Sequence, residues 1–301
     1  CGITQNEVIE QFEPELKLMA TNNGWTVEET ITQLKAFYDG YHFSHKNMVD
    51  IFNPFSLINA LKCQELKNFW ASSGSSSLLP KFVNDMDISL GDFEQCSILG
   101  SVLETSDVTG GGAELFLYQS GYLTIKDYQK GVYFLGFPNH EVKQALYETV
   151  LPALTMRKSG DIQSVQANLY YSLCIGDTDK AKKALTALIA DVPYSNKRLA
   201  SMNMEERYRL IISTILNAIG CRVEVEHMLA TGRIDLIART DEYTYIMELK
   251  LTNNGGIKAA TDQILNKRYL EPFKADKRRV IGLAVELDSY GNGLIDWNVI
   301  Q

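Results

Sequence analysis

The stretch GRIDLIARTDEYTYIMELK, residues 232–250, admits few folds. Its residues alternate with a period of two on either side of Asp241-Glu242, the pattern of a β-hairpin with a two-residue loop. Such a loop fixes the register: facing residues carry numbers that sum to 483, which sets Asp235 opposite Glu248. Alternation puts Lys250 on the same face. The opposite face takes Ile234, Leu236, Ala238, Tyr245, Met247 and Leu249, an apolar set that reads as core. One face is therefore expected to pack and the other to carry chemistry.

Two carboxylates at cross-strand distance repel one another unless something positive intervenes. A hard divalent cation such as Mg²⁺ or Mn²⁺ suits them, because it takes a few carboxylates and keeps several waters. With Lys250 beside it, such an ion would make a hydrolytic site for phosphodiesters, activating water and offsetting phosphate charge. The pattern D-x(12)-E-x-K alone also fits an ordinary ion pair on a solvated sheet face, so the surrounding chain has to decide.

That chain has 301 residues, enough for two or three cores. Residues 3 to about 85 read mainly as helices: Thr26 and Glu29 form a capping-box pattern, and Asn53-Pro54 marks a helix entry. A second unit is expected from about Asp85, with strands at Leu123–Tyr128 and Val132–Leu135 around the turn Gln129-Lys130-Gly131, then a helix from about Asn139. A helical hairpin broken at Ile175–Asp179 and a polar linker, PYSNKRLASMN, follow. The last unit has a helix from Met204 to Gly220, the hairpin, a helix at Gly256–Tyr269, and strands at Arg279–Glu286 and Leu294–Val299.

The net charge of −8 argues against a generally basic nucleic-acid binder. The charge is uneven, however: residues 196–301 hold 15 Lys and Arg against 14 Asp and Glu, and the preceding part holds 14 against 23. A polyanion is therefore expected at the last third. Five scattered cysteines, Cys1, Cys63, Cys96, Cys174 and Cys221, form neither a zinc pattern nor a disulfide framework. No apolar run has the ~18 residues of a membrane span, so a cytoplasmic protein without a membrane partner is expected. The chain begins Cys-Gly-Ile-Thr, and a longer polypeptide upstream is the expectation.

The order helix, three strands, helix, strand, together with Asp235, Glu248 and Lys250, resembles the PD-(D/E)XK nuclease superfamily. The resemblance implies metal ligation by Asp235 and Glu248, catalytic support from Lys250, and help from Glu206 in MEERYR, taken ahead of Glu205, and from Gln263 in TDQILNKRYL. Tyr269 fits the same pattern and equally fits a helix-packing aromatic. The segments KAFYDGYHFS, DIFNPFSLINAL, FWASSGSSSLL, LYQSGYLTI and GFPNHEV resemble those joining an AAA-type ATPase region to this nuclease in a family of bacterial AAA-ATPase-like proteins. No GxxxxGK[ST] loop occurs, so ATP would enter only through a missing N-terminal region.

The expected protein is α+β and multidomain: a helical ATPase-lid-like region at 1–85, a winged-helix-like and helical linker region at 86–195, and a C-terminal restriction-endonuclease-like PD-(D/E)XK domain at 196–301. Its expected partner is nucleic acid, DNA ahead of RNA, and homo-oligomerisation is open. Lys267, Arg268, Lys274, Lys277, Arg278 and Arg279 are candidates for phosphate contact; a solvated helix end is the alternative. His42 and His45 invite a metal-pair reading but are expected to be structural. Neither Gly110–Gly112 nor Ser73-Gly74-Ser75 has the pattern of a phosphate loop or a nucleophile elbow. The rival to a nuclease is a binding or regulatory module that keeps the fold and cuts nothing.

Overall fold

The computed structural model describes residues 2–70, 96–103, 112–155, 159–190, 192 and 202–301, without the side chains of 153–155 and 159–162. The expected boundary near Asp85, the Ser73-Gly74-Ser75 segment, most of FWASSGSSSLL, Gly110-Gly111 and most of the polar linker lie outside the described residues. The chain forms two compact units, Cys1–Leu146 and Tyr147–Gln301, where the sequence divides it near 85 and 195.

In the first unit, helices α1 (Gln5–Gln11), α2 (Glu13–Asn23), α3 (Val27–Tyr38) and α4 (Pro54–Cys63) enclose one core. Their ends are written in the sequence. Thr26 and Glu29 satisfy each other's backbone N–H groups in a capping box, and Asn53 Oδ1 accepts from Phe55 and Ser56 ahead of Pro54. Val8, Leu16, Met19, Leu34, Tyr38, Phe52 and Leu57 fill the space between. Strand β1 (Cys96–Leu99) leads through the short helices α5 (Gly100–Leu103) and α6 (Gly112–Gln119) to β2 (Thr124–Gln129) and β3 (Val132–Gly136). The sheet order is β1-β3-β2. The turn falls as read: Lys130 and Gly131 both take positive φ, 50° and 88°, the geometry of a two-residue hairpin loop. Helix α7 (His140–Thr155) begins in this unit.

The second unit carries the helical hairpin α8 (Ser159–Ile175) and α9 (Thr178–Ala190), then α10 (Met204–Ala218). Strands β4 (Arg222–Leu229), β5 (Gly232–Arg239) and β6 (Tyr243–Leu251) precede α11 (Gly256–Asn266), β7 (Arg279–Leu287) and β8 (Leu294–Ile300). The five strands lie in sequence order, antiparallel throughout except for β6 and β7, which run parallel. The hairpin register is the expected one: Leu236 faces Met247 and Arg239 faces Thr244. A bond from Thr240 N–H to Tyr243 O, 2.9 Å, closes the turn.

Two expectations about this sheet are corrected. The face carrying Asp235 and Glu248 is not open: Ile237, Ile246 and Ala284 are buried there against Ala260 and Ile264 of α11. A parallel β6–β7 pair requires a crossover, and α11 supplies it by covering that face. Strict alternation also fails at Asp235. Ile234 joins the α11-side cluster with Ile237, although a period of two assigns them to opposite faces. The β5–β6 ladder stops at Leu236 and Met247, and on the neighbouring strand Glu226 takes a left-handed φ of 54°. Among the described residues no helix is long and apolar enough to cross a membrane.

Candidate active site

Where the β5–β6 ladder stops, a side chain takes over. Asp235 Oδ2 accepts the backbone N–H of Leu249 at 2.8 Å, giving that buried donor the partner that β5 no longer offers. This brings the Asp235 carboxylate beside Glu248, and the two are 5% and 1% exposed. Glu248 Oε1 accepts from Lys250 Nζ at 2.7 Å, and the same ammonium lies 3.2 Å from Leu249 O. Among the described residues, the buried Glu248 Oε2 finds no donor. It can bond to Asp235 only if the pair holds a proton.

The electrostatics follow. Burial, then the Asp235 charge, push the Glu248 carboxyl up to about 7, against the opposing pull of Lys250. Burial alone would lower Lys250. The Glu248 contact and the charges of Asp235 and Glu205 outweigh it and hold the ammonium above its ordinary value.

Helix α10 closes the site with residues that sequence reasoning missed. Arg209 lies 3.6 Å from Asp235 Oδ1 and 3.1 Å from Glu226 Oε1, and Arg233 reaches the same Glu226 oxygen at 3.0 Å. The result is a charge chain of Lys250, Glu248, Asp235, Arg209, Glu226 and Arg233. Glu205, one helical turn before Arg209, acts on Lys250, whereas the favoured Glu206 is exposed and bonds through its backbone to Asn203. Glu205 and Arg209 are four apart on α10 and share a face.

Gln263 does not bond to the acids. Its Nε2 donates to Tyr269 OH at 3.2 Å, and that buried hydroxyl donates to Arg233 O at 2.9 Å. The pair braces the start of β5, two residues before Asp235. A Cβ at Gly232 would stand 2.7 Å from the Tyr269 hydroxyl, so the close approach requires glycine there.

The basic cluster does not converge on the acids as a set. Arg279 pairs with Tyr243 across β6–β7, five residues from Glu248, or about 16 Å along the strand. Arg278 is bound to Asp276 and Thr240 O, and Lys274 to Glu271, while Lys267, Arg268 and Lys277 are exposed. His42 and His45 have separate partners. His42 lies between Ile125 O at 2.8 Å and Asp50 Oδ1 at 3.0 Å, and His45 stacks on Tyr128. Among the described residues, no group of three or more His, Cys, Asp and Glu is placed to hold an ion. The site's acidic donor set is Asp235 and Glu248.

Residues 203–297 match a family model described as the PD-(D/E)XK nuclease superfamily. The matched span runs from the N-cap of α10 into β8, and so contains the whole charge chain and both flanking helices. Over 313 residues the chain is 26% identical to a curated protein of Azotobacter chroococcum mcd 1 described as "Uncharacterized protein in vnfD 5'region". That match covers 95% of this chain and 56% of the relative, so the chain spans about half the length of the curated relative it matches. No solved structure matches. Asp235 on β5 and Glu248 and Lys250 on β6 all lie within the matched span.

Proposed function

We propose that the nuclease-superfamily domain hydrolyses phosphodiester bonds of nucleic acid, DNA ahead of RNA, using Mg²⁺ or Mn²⁺ held by Asp235 and Glu248. The observation that carries this is Glu248 Oε2: a buried oxygen without a donor, on a carboxyl pushed up to about 7 beside a second acid. With both acids ionised, a cation would satisfy that oxygen where the described residues offer no donor. When bound, the ion would supply a polarised water and offset phosphate charge.

The residues have distinct tasks. Asp235 and Glu248 would hold the ion through their carboxylate oxygens, and Asp235 is fixed by its bond from Leu249 N–H. Lys250, held charged, faces the phosphoryl group and stabilises the negative charge that grows as water oxygen bonds to phosphorus and one P–O ester bond breaks. Glu205, whose charge acts on Lys250, is the carboxylate assigned to receive the water's proton. Gln263 acts through Tyr269 on β5 rather than on substrate. Arg209 balances Asp235.

For the first 195 residues we propose the lid-like and winged-helix-like regions of an AAA-ATPase-like protein, with ATP handled outside this span. The five resembling segments support that reading.

The test is calorimetric titration of Mn²⁺ into the chain and into Glu248→Ala, with both incubated on DNA and RNA. Binding and cleavage that vanish together in the variant support the proposal. Binding of nucleic acid without cleavage in any metal would replace it with the non-catalytic module.

A further inference from the structure

The parallel β6–β7 pairing sets Glu286 beside Lys250 and Leu287 beside Leu251. The segment 288–293 that follows β7 therefore leaves the sheet at the same end as the acid–lysine set. It is heavily tied down. Ser289 Oγ pairs with Thr252 Oγ1 at 2.7 Å and accepts from Asn253 N–H at 2.9 Å. Asp288 Oδ2 accepts from Tyr290 N–H at 2.9 Å and from Asn292 N–H at 3.0 Å. Gly293 N–H donates to the buried Tyr208 hydroxyl of α10 at 2.9 Å.

On this fastened loop the Tyr290 ring is 82% exposed, more than any other large hydrophobic side chain among the described residues. A ring held out of the core by so many bonds contributes little to the fold, because an aromatic side chain stabilises through the surface it buries. It is placed for an external planar partner. Tyr290 adjoins Ser289, whose contacts are only two and three residues past Lys250. The ring therefore stands on a loop fastened to the segment just past Lys250, where the proposed function places a phosphate.

We propose that Tyr290 is a stacking platform for an unpaired nucleobase next to the scissile phosphate. This rests on the nuclease reading and names its substrate class: a single strand, or a junction or end with unpaired nucleotides. Inside a duplex both faces of each base are covered by neighbouring bases. Away from duplex ends, only an unpaired base offers a free face, and stacking on an aromatic side chain is tolerant of sequence.

The experiment compares the full chain with Tyr290→Ala and Tyr290→Phe by fluorescence anisotropy of a labelled single-stranded oligonucleotide and of a blunt duplex, with cleavage of each followed in Mn²⁺. Tyr290→Ala is expected to weaken single-strand binding about five- to hundredfold and to leave duplex binding within about twofold. Tyr290→Phe keeps the ring and should bind as the parent does. Equal melting temperatures of the three proteins would show that the exposed ring is not structural. Cleavage with unchanged single-strand binding by Tyr290→Ala, or equal losses on both substrates, overturns the stacking role and leaves the nuclease standing. No binding and no cleavage by the parent overturns both.

Discussion

The carboxylate of Asp235 and the backbone N–H of Leu249 are 2.8 Å apart, and through that bond a proposed catalytic acid also holds two strands together where their ladder ends. The two jobs separate by substitution. Asp235→Asn retains an acceptor oxygen and should keep its stability within about 1 kcal/mol, whereas Asp235→Ala leaves a buried donor unpaired and should lose about 1–3 kcal/mol. Both should lose Mn²⁺ binding. Urea unfolding beside metal titration checks this, and equal stabilities would assign Leu249 another acceptor.

Glu248→Gln should trade function for stability. The amide still accepts from Lys250 and donates toward Asp235 without a buried like charge. At pH 8 the metal-free variant should be about 1–3 kcal/mol more stable than the parent. Its cleavage should fall more than about a hundredfold. A variant that is less stable at that pH would show that Glu248 and Asp235 do not oppose one another.

Metal binding should depend on pH through the same pair. The folded Glu248 carboxyl sits near 7, above its unfolded value, so the metal-free fold holds a proton more tightly than the unfolded chain and loses stability as pH rises toward 7. A cation needs that proton gone. Mn²⁺ affinity and cleavage should climb up to about tenfold per pH unit below 7 and level off above it. Titrations at pH 6, 7 and 8 read this directly; a flat profile would contradict it.

Arg209 and a bound ion should share one task, neutralising Asp235. Arg209→Met is expected to cost about 2 kcal/mol in the metal-free chain, because a buried carboxylate loses a cationic neighbour. Saturating Mn²⁺ should then raise the melting temperature of the variant more than that of the parent. Equal shifts would show that the two cations act independently.

The first unit has a titration of its own. Glu141 is fully buried, accepts backbone N–H groups of Phe69 and Trp70 at 2.7 and 2.8 Å, and is pushed by burial up to about 7. Its folded value is raised, so its ionisation erodes stability as pH rises between about 4.5 and 7. Glu141→Gln keeps an acceptor and should abolish that slope, gaining at most about 3 kcal/mol at pH 8. Thermal melts across pH decide it, and an unchanged slope would place the titrating group elsewhere.

Local chemistry was the legible part of the sequence. Asp241-Glu242 gave the hairpin register, Thr26 with Glu29 gave a helix start, and alternation set Asp235, Glu248 and Lys250 on one face. What depended on distant partners was not legible. That β7 pairs parallel with β6 is set by the path of α11, so the covering of the acid face could not be read from alternation. Glu206 was preferred to Glu205 because adjacent glutamates look alike until the helix is docked. Arg209 reads as an ordinary helix-surface charge until β4 and β5 bring Glu226 and Asp235 to it. The interruption at Asp235 was hidden because Ile234 and Leu236 suit either face.

The turn at Asp241-Glu242 lies at the far end of the hairpin from the acids, yet its length governs which residues meet. A one-residue insertion there would slide β5 against β6 by half a pleat period and turn Asp235 away from Glu248, with every functional residue still present. A two-residue insertion would restore the parity but move the acids one pair apart. Loops are usually where a chain tolerates added residues; in this one, the exposed loop farthest along the hairpin from the acids should tolerate substitutions freely and insertions hardly at all.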